Sequence, residues 1–453
     1  MKLTKISVFR LLFLALALTL IASCEGVNAN YSNKSFSVVV ASDVHFDTFY
    51  DPTLFPALVA ADVGEWADIF NTSRITTPST WGNDTNYPLL VSALAGIRQH
   101  RGASPFIIFT GDILAHHFSQ KFYSLYGRQD LAAMQAFADK TIAFFINQLK
   151  SSVFGLPILF TLGNNDSYTD YVVEKKFLSN TAELFYTKCL AGLADHEAFL
   201  DTYLAGGYYR ASQPGTNLMV ISLNTILFMN TSSAAADQLA WFDAQLADAQ
   251  AAGKKVWLLM HVPPGANIYP TAQLVDGSGH LAGAEMMWKP DYQKSFLQIL
   301  SKYPRLITFT LAGHTHMDEY RIMSFSDVLN ITPGISPRSG NNPAFKVFTV
   351  FSNTFEPANY MSLNYDLAAQ SGGQFNVYYD FWSAYYPSDL LDDSLMQLFP
   401  ELDTNNTKQT RYRSSYYSGY NFLNPITDKN WPVYWCGIGK MEQQEFIDCV
   451  NSD

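Results

Sequence analysis

The chain has 453 residues, 48% of them hydrophobic and 15% charged, enough for one large or two modest domains with a packed core, which excludes a disordered chain. Its 29 Lys and Arg against 40 Asp and Glu give a formal net charge of −11, which argues against a surface built to wrap a nucleic-acid duplex. A phosphate ligand is not excluded, because a bound metal can invert the local field.

From the N-terminus, Lys2, Lys5 and Arg10 precede an apolar run of 12 residues, 11–22, with small residues after it. That pattern predicts a secretory signal peptide over residues 1–29, since a spanning helix needs about 20 apolar residues. Two exits are legible: cleavage after Val27-Asn28-Ala29, or a lipoprotein box at Ile21-Ala22-Ser23-Cys24 with Cys24 acylated. Beyond it, short apolar runs at 36–41, 106–110, 157–162, 218–223, 256–260 and 306–311 predict buried strands. Between them, 88–100, 131–150, 237–250 and 291–302 carry apolar residues at helical spacing, with Asp237 expected as an N-cap. The alternation predicts an α/β core over 35–355. After about residue 360 the texture becomes Tyr-rich and Pro-interrupted, which predicts an appended C-terminal region, 356–453. Export permits disulfides. Cys436 and Cys449 lie close together in a segment with little core of its own and are paired, leaving Cys189 as a buried thiol. The sequons at Asn71, Asn83, Asn230, Asn330 and Asn405 would carry glycans only in a eukaryotic host.

The polar residues fall at the carboxyl ends of these strands. Asp43 and His45 follow the first; Gly111-Asp112 the second; Gly163-Asn164-Asn165-Asp166 the third; His261 the fifth; Gly313-His314-Thr315-His316 the sixth. In open α/β sheets that edge is where ligands bind, so five loops are expected to converge on one crevice. Four of the nine histidines sit at these positions. Two Asp, one Asn and four His suit Zn²⁺, Mn²⁺ or iron, and the absence of Cys argues against a closed structural zinc site. Seven donors exceed one tetrahedral ion, so the division is two ions about 3.5–4 Å apart with Asp112 between them.

These residues resemble the calcineurin-like metallophosphoesterases, whose pattern is Asp-x-His, Gly-Asp, Gly-Asn-His-Asp/Glu, His and Gly-His-x-His. The sequences Ser42-Asp43-Val44-His45-Phe46-Asp47, Gly111-Asp112-Ile113-Leu114-Ala115-His116, His261-Val262-Pro263-Pro264-Gly265 and Asn342-Pro343-Ala344-Phe345-Lys346-Val347 are similar to the acid sphingomyelinase-like branch. The resemblance implies a four-layer sandwich of two mixed β-sheets flanked by helices, with a C-terminal extension. It implies one ion on Asp43, His45, Asp112 and His316, and a second on Asp112, Asn164, His261 and His314. It further implies in-line attack of a bridging hydroxide on a phosphodiester, with His116 stabilising the added charge. Asn165 stands where the family carries a proton-donating His. Either His116 is the acid; or the substrate is a phosphoanhydride, as in the endopolyphosphatases with Asn-Asn-Asp here; or the chain is a metal-dependent phosphate-binding module without turnover. The expected partner is a small phosphate ester, phospholipid head group or phosphoanhydride, met in a secreted, periplasmic or lysosome-like setting. Asp47 and Asp318 are either carboxylates behind the imidazoles or solvent-exposed. His280 either rims the site or belongs to a solvated loop. The aromatic stretch 375–386 is either a ligand wall or plain packing.

Overall fold

The computed structural model describes residues 35–369, 373–387, 390–419 and 425–452. The signal-peptide reading and Cys24 lie outside them. In chain order the strands are β1 (Ser35–Ala41), β2 (Ile107–Phe109), β3 (Ile158–Phe160), β4 (Tyr209–Ser212), β5 (Leu218–Ser222) and β6 (Lys255–Leu259). They continue as β7 (Ile307–Ala312), β8 (Glu319–Ile322), β9 (Val328–Ile331), β10 (Ala344–Phe351), β11 (Pro357–Asn364) and β12 (Asn376–Asp380). Two mixed six-stranded sheets result, ordered β12-β11-β10-β1-β2-β3 and β4-β5-β6-β7-β9-β8. The runs read as buried strands become the parallel centres: β1, β2 and β3 pair parallel, as do β5, β6 and β7, while β9, not read from the sequence, adds a further parallel partner to β7.

The sheets pack face to face through large rings. Trp257 of β6 is fully buried against Phe36 of β1 and Phe106, with centroids 6.3 and 5.7 Å away. Phe309 of β7 meets Phe348 of β10 at 4.8 Å. Helices close the outer faces. On the first sheet, α1 (Tyr87–His100) and α2 (Leu131–Ser152) bury apolar stripes, with Phe145 on Phe109 at 5.0 Å. On the second lie α3 (Ser233–Ala251) and α4 (Pro290–Lys302), joined by Phe242 and Phe296 at 5.7 Å. The start of α3 corrects the expected cap: Ser232 accepts the Ala234 N–H at 3.2 Å, and Asp237 lies inside the helix. Three alanines, the strongest helix formers, carry the helix back through Ser233 to the cap at Ser232.

Past residue 356, β11 and β12 extend the first sheet, and α5 (Leu391–Thr404), α6 (Trp431–Gly439) and α7 (Gln443–Val450) form a helical extension. A disulfide joins Cys436 to Cys449, and Cys189 is a buried free thiol, both as the sequence predicts. Asn330 lies buried in β9, so that sequon is closed to a glycan.

Candidate metal centre

All seven candidate ligands follow parallel strands: Asp43 and His45 after β1, Asp112 after β2, Asn164 after β3, His261 after β6, His314 and His316 after β7. The two sheets therefore present their carboxyl edges to one cleft. Five of the seven hold a left-handed backbone, with φ of 49° at Asp43, 43° at His45, 63° at Asp112, 73° at His314 and 64° at His316. Such a conformation costs a side chain about 1–2 kcal/mol, and it persists because the surrounding loops over-determine it. Glycine is required where the loops touch: a Cβ at Gly163 would collide with the Asp112 carboxylate, and one at Gly313 with the Ser42 hydroxyl.

The donor atoms converge. Asp112 Oδ2 lies 3.3 Å from the Nε2 atoms of both His45 and His261. Asn164 Oδ1 lies 3.1 Å from His261 Nε2 and 2.7 Å from His314 Nδ1. Asp43 Oδ1 lies 3.6 Å from His316 Nε2, which is 3.1 Å from His45 Nε2. Behind the rings, backbone carbonyls fix the tautomers: Leu114 O takes the Nδ1–H of His45 at 3.0 Å, Thr110 O that of His261 at 2.6 Å, and Ser336 O that of His316 at 3.3 Å. The Nε2 lone pairs of His45 and His316 then face each other and two carboxylates. A point where lone pairs and anions meet is repulsive unless a cation sits there, so the donor set fits divalent metal. Asp43, His45 and Asp112 form one compact group able to hold an ion, and His45, His116 and His316 a second.

The electrostatics agree with that demand. Burial, reinforced by the Asp112 charge, pushes the Asp43 carboxyl up to about 7. Burial acts the same way on Asp112, but His261 and His45 overcome it and hold that carboxyl well below its usual range. Burial pushes His45 well below the usual imidazole value, His316 down to about 4 and His314 down to about 3, which leaves all three neutral. For His261 burial is outweighed by the Asp112 charge and hydrogen bond, which push it up to about 9.

Around this cluster opens a cleft of about 500 Å³, lined by Asp112, His116, Asn164, His314 and His316 on its floor. His116 stacks on His45, centroids 3.9 Å apart, and gives Nδ1 to Asp84 Oδ1 at 2.8 Å. Asn165 turns from the cleft onto the Asp112 carboxylate: its backbone N–H reaches Oδ1 at 2.7 Å and its Nδ2 reaches Oδ2 at 2.9 Å. Neither Asp47 nor Asp318 orients an imidazole. Asp47 takes Lys121 at 2.8 Å, and buried Asp318 takes Lys346 at 2.7 Å and the Tyr379 hydroxyl at 2.9 Å. His280 belongs to an exposed loop closed on Asp276. The aromatic wall comes from Tyr171, Tyr269, Tyr416 and Tyr417, whereas in 375–386 Phe375, Tyr379, Phe381 and Tyr385 pack inside the protein and Val377 and Tyr386 are exposed.

Two carboxylates behind the site escaped the sequence reading. Asp84 grips His116, accepts its backbone N–H at 3.0 Å and pairs with Lys121 at 3.2 Å. Asp166, seen only as part of a motif, accepts the N–H groups of Asp112, Ile113 and Gly163 at 2.7–2.8 Å and so fastens two ligand loops together.

Comparison with known proteins matches residues 36–318 to the family model for calcineurin-like phosphoesterase. The chain is similar to "Sphingomyelinase phosphodiesterase D" of Dictyostelium discoideum, 27% identical over 408 residues, covering 83% of this chain and 84% of the relative. It is similar to "Cyclic GMP-AMP phosphodiesterase SMPDL3A" of Mus musculus, 25% identical over 449 residues and 90% of each chain. It is also similar to "Acid sphingomyelinase-like phosphodiesterase 3b" of Homo sapiens, 22% identical over 445 residues, covering 90% of this chain and 89% of the relative.

Proposed function

The chain belongs to the calcineurin-like phosphoesterase family, and from that premise we propose that it is an exported, divalent-metal phosphodiesterase of the sphingomyelinase-like kind. The observation that carries this reading is the meeting of the neutral His45 and His316 Nε2 atoms with the Asp43 and Asp112 carboxylates at one cleft floor. Asp43, His45, Asp112 and His316 would hold one ion, and Asp112, Asn164, His261 and His314 another, with zinc, manganese or iron all compatible with the donors. When bound, such ions neutralise charge on a phosphoryl oxygen and bring the pKa of water down from 15.7 toward about 7.

The chain's own residues do the rest. The carbonyls of Leu114, Thr110 and Ser336 keep the imidazoles aimed, and Asp166 keeps the Asp112 and Asn164 loops in register. His116, with Nδ1–H committed to Asp84, serves as the proton source for a leaving alkoxide in its imidazolium form, giving up the second proton from Nε2 and returning to the neutral ring. Asn165 steadies the Asp112 carboxylate and supplies no proton. That engagement favours a second reading, hydrolysis of a phosphoanhydride, whose leaving group needs little protonation. The disulfide and the signal-like N-terminus support export.

The test is a panel of bis-p-nitrophenyl phosphate, an alkyl-phosphocholine, ATP and polyphosphate, run on metal-loaded protein with elemental analysis alongside. Hydrolysis of the diesters is expected, and Asp112→Ala loses metal and at least about 10³-fold in rate. Turnover of ATP and polyphosphate alone would establish the anhydride reading. Silence on all four with the metal in place would leave a binding module.

A further inference from the structure

The cleft wall holds a cationic side chain that the proposed chemistry does not use. Among the described residues lining the cleft, Arg338 is the only lysine or arginine, alongside the carboxylates of Asp112 and Glu319. Glu319 is answered from within the protein, its Oε2 lying 3.9 Å from Nη2 of fully buried Arg321. Arg338 is not answered. It is half-buried, and among the described residues its guanidinium makes no hydrogen bond, ion pair or ring contact, only its backbone N–H bonding Ser336 Oγ at 3.4 Å. The chain has 40 Asp and Glu against 29 Lys and Arg, so an arginine in a concave wall without a carboxylate is a cation held open in an acidic protein.

The turn beneath it is fixed to the metal loops. Ser336 N–H donates to Asp43 O at 2.9 Å, Ser336 O accepts His316 Nδ1 at 3.3 Å, and Pro337 O accepts the Gly82 N–H at 3.1 Å. Gly340 then closes the turn at a φ of 84°. Arg338 therefore stands at a set place relative to Asp43 and His316. A guanidinium is planar and forked, matched to two oxygens of one phosphoryl group, and it cannot lose its charge.

We propose that Arg338 receives a second phosphoryl group of the substrate, beyond the one being cleaved, so that the cleft favours substrates with neighbouring phosphates over singly charged diesters. The inference rests on the phosphoesterase reading above and narrows its substrate class. A lone diester carries one negative charge, which the seven-ligand cluster is built to meet; a cation on a separate, anchored turn serves an anion that such a diester lacks.

The experiment compares metal-loaded wild type, Arg338→Gln and Arg338→Lys on bis-p-nitrophenyl phosphate, ATP and tripolyphosphate, and measures calorimetric binding of methylenebisphosphonate and methylphosphonate. A charge-assisted hydrogen bond predicts that Arg338→Gln loses about 10- to 100-fold in kcat/KM on ATP and tripolyphosphate, mostly through KM. That loss exceeds the loss on bis-p-nitrophenyl phosphate by about tenfold or more, and Arg338→Lys falls between. Binding of the bisphosphonate drops by a similar excess over the monophosphonate. A deficit on ATP alone assigns the group to a nucleotide, and one on both to phosphate chains generally. Equal losses on all substrates, no loss on any, or a wild type that cleaves the diester but neither polyphosphate overturns the proposal. Should the metal-loaded wild type cleave nothing, the phosphoesterase reading fails, and the bisphosphonate comparison still decides the role of Arg338.

Discussion

Asp84 illustrates how far the chemistry depends on a carboxylate outside the ligand set. Burial would raise it, yet the hydrogen bond from His116 and the charges around it hold it well below the usual carboxylate range. An ionised acceptor on Nδ1 keeps the His116 proton there and leaves Nε2 facing the cleft, the arrangement that an aspartate gives a catalytic histidine elsewhere. Asp84→Asn is expected to lower kcat on a substrate with an alkoxide leaving group by about 10²- to 10⁴-fold, while p-nitrophenyl esters, whose leaving group needs little protonation, lose less than about tenfold. Metal content should not change; equal losses on both substrates would reduce Asp84 to a structural part. Nothing in the sequence marked this residue, because it lies in a loop without periodicity, where Asn83 draws notice only as a sequon. The ligands were legible for the opposite reason: each follows an apolar run, and Gly111, Gly163 and Gly313 stand where only glycine permits the loops to touch. Asp47 and Asp318 were next to ligands in sequence but face lysines in space.

At the scale of elements, the strands that announced themselves are buried along their whole length, as in β2, β3, β5 and β7, where apolar residues are broken only by small hydroxyl side chains. The later strands did not. β8 places Glu319 and Arg321 inward against each other, and β12 buries only Tyr379 within a Tyr-rich stretch. Burial of charges and rings by tertiary partners overrode the local pattern there. The C-terminal region lends Tyr416 and Tyr417 to the cleft wall, and α6 supports that wall where Ile268 packs on the bare Cα of Gly437, a place where a side chain would collide. α6 is tied to α7 by the Cys436–Cys449 bridge, which closes a 13-residue separation. A loop of that length restricts the unfolded chain by about 3 kcal/mol. Reduction, or Cys436→Ser with Cys449→Ser, should therefore lower the melting temperature measurably and raise KM more than it lowers kcat, because the wall rather than the ligand floor is loosened. A double variant with unchanged KM would separate the extension from substrate binding. Cys189, pushed up to about 12 by burial, stays unreactive toward thiol reagents and leaves the comparison clean.

For the whole molecule, the sheets bring seven candidate ligand residues from five loops into one buried, low-dielectric volume, and this has a consequence for proton balance. Without metal at neutral pH, Asp43, pushed up to about 7, is about half protonated, and His261, pushed up to about 9, carries its proton almost fully. Both folded values lie above the ordinary ones, so the stabilisation from these protons is present at low pH and is lost as pH rises through about 7 and about 9. His314 and His316 run the other way: pushed down to about 3 and 4, they are already neutral, and their contribution is lost only as pH falls from 6.5 toward those values. A metal ion needs ionised Asp and neutral His. Loading at pH 7 should displace protons from Asp43 and His261 and none from His314 or His316, a release of between about one and two protons per chain. Calorimetric titrations of zinc or manganese into metal-free protein, repeated in buffers of different ionisation enthalpy, measure that number directly. Apparent affinity should rise with pH between 6 and 9 and flatten above it. A release near zero at pH 7 would mean that Asp43 and His261 meet the ion already stripped of protons, and the charge arrangement drawn for this cleft would have to be abandoned.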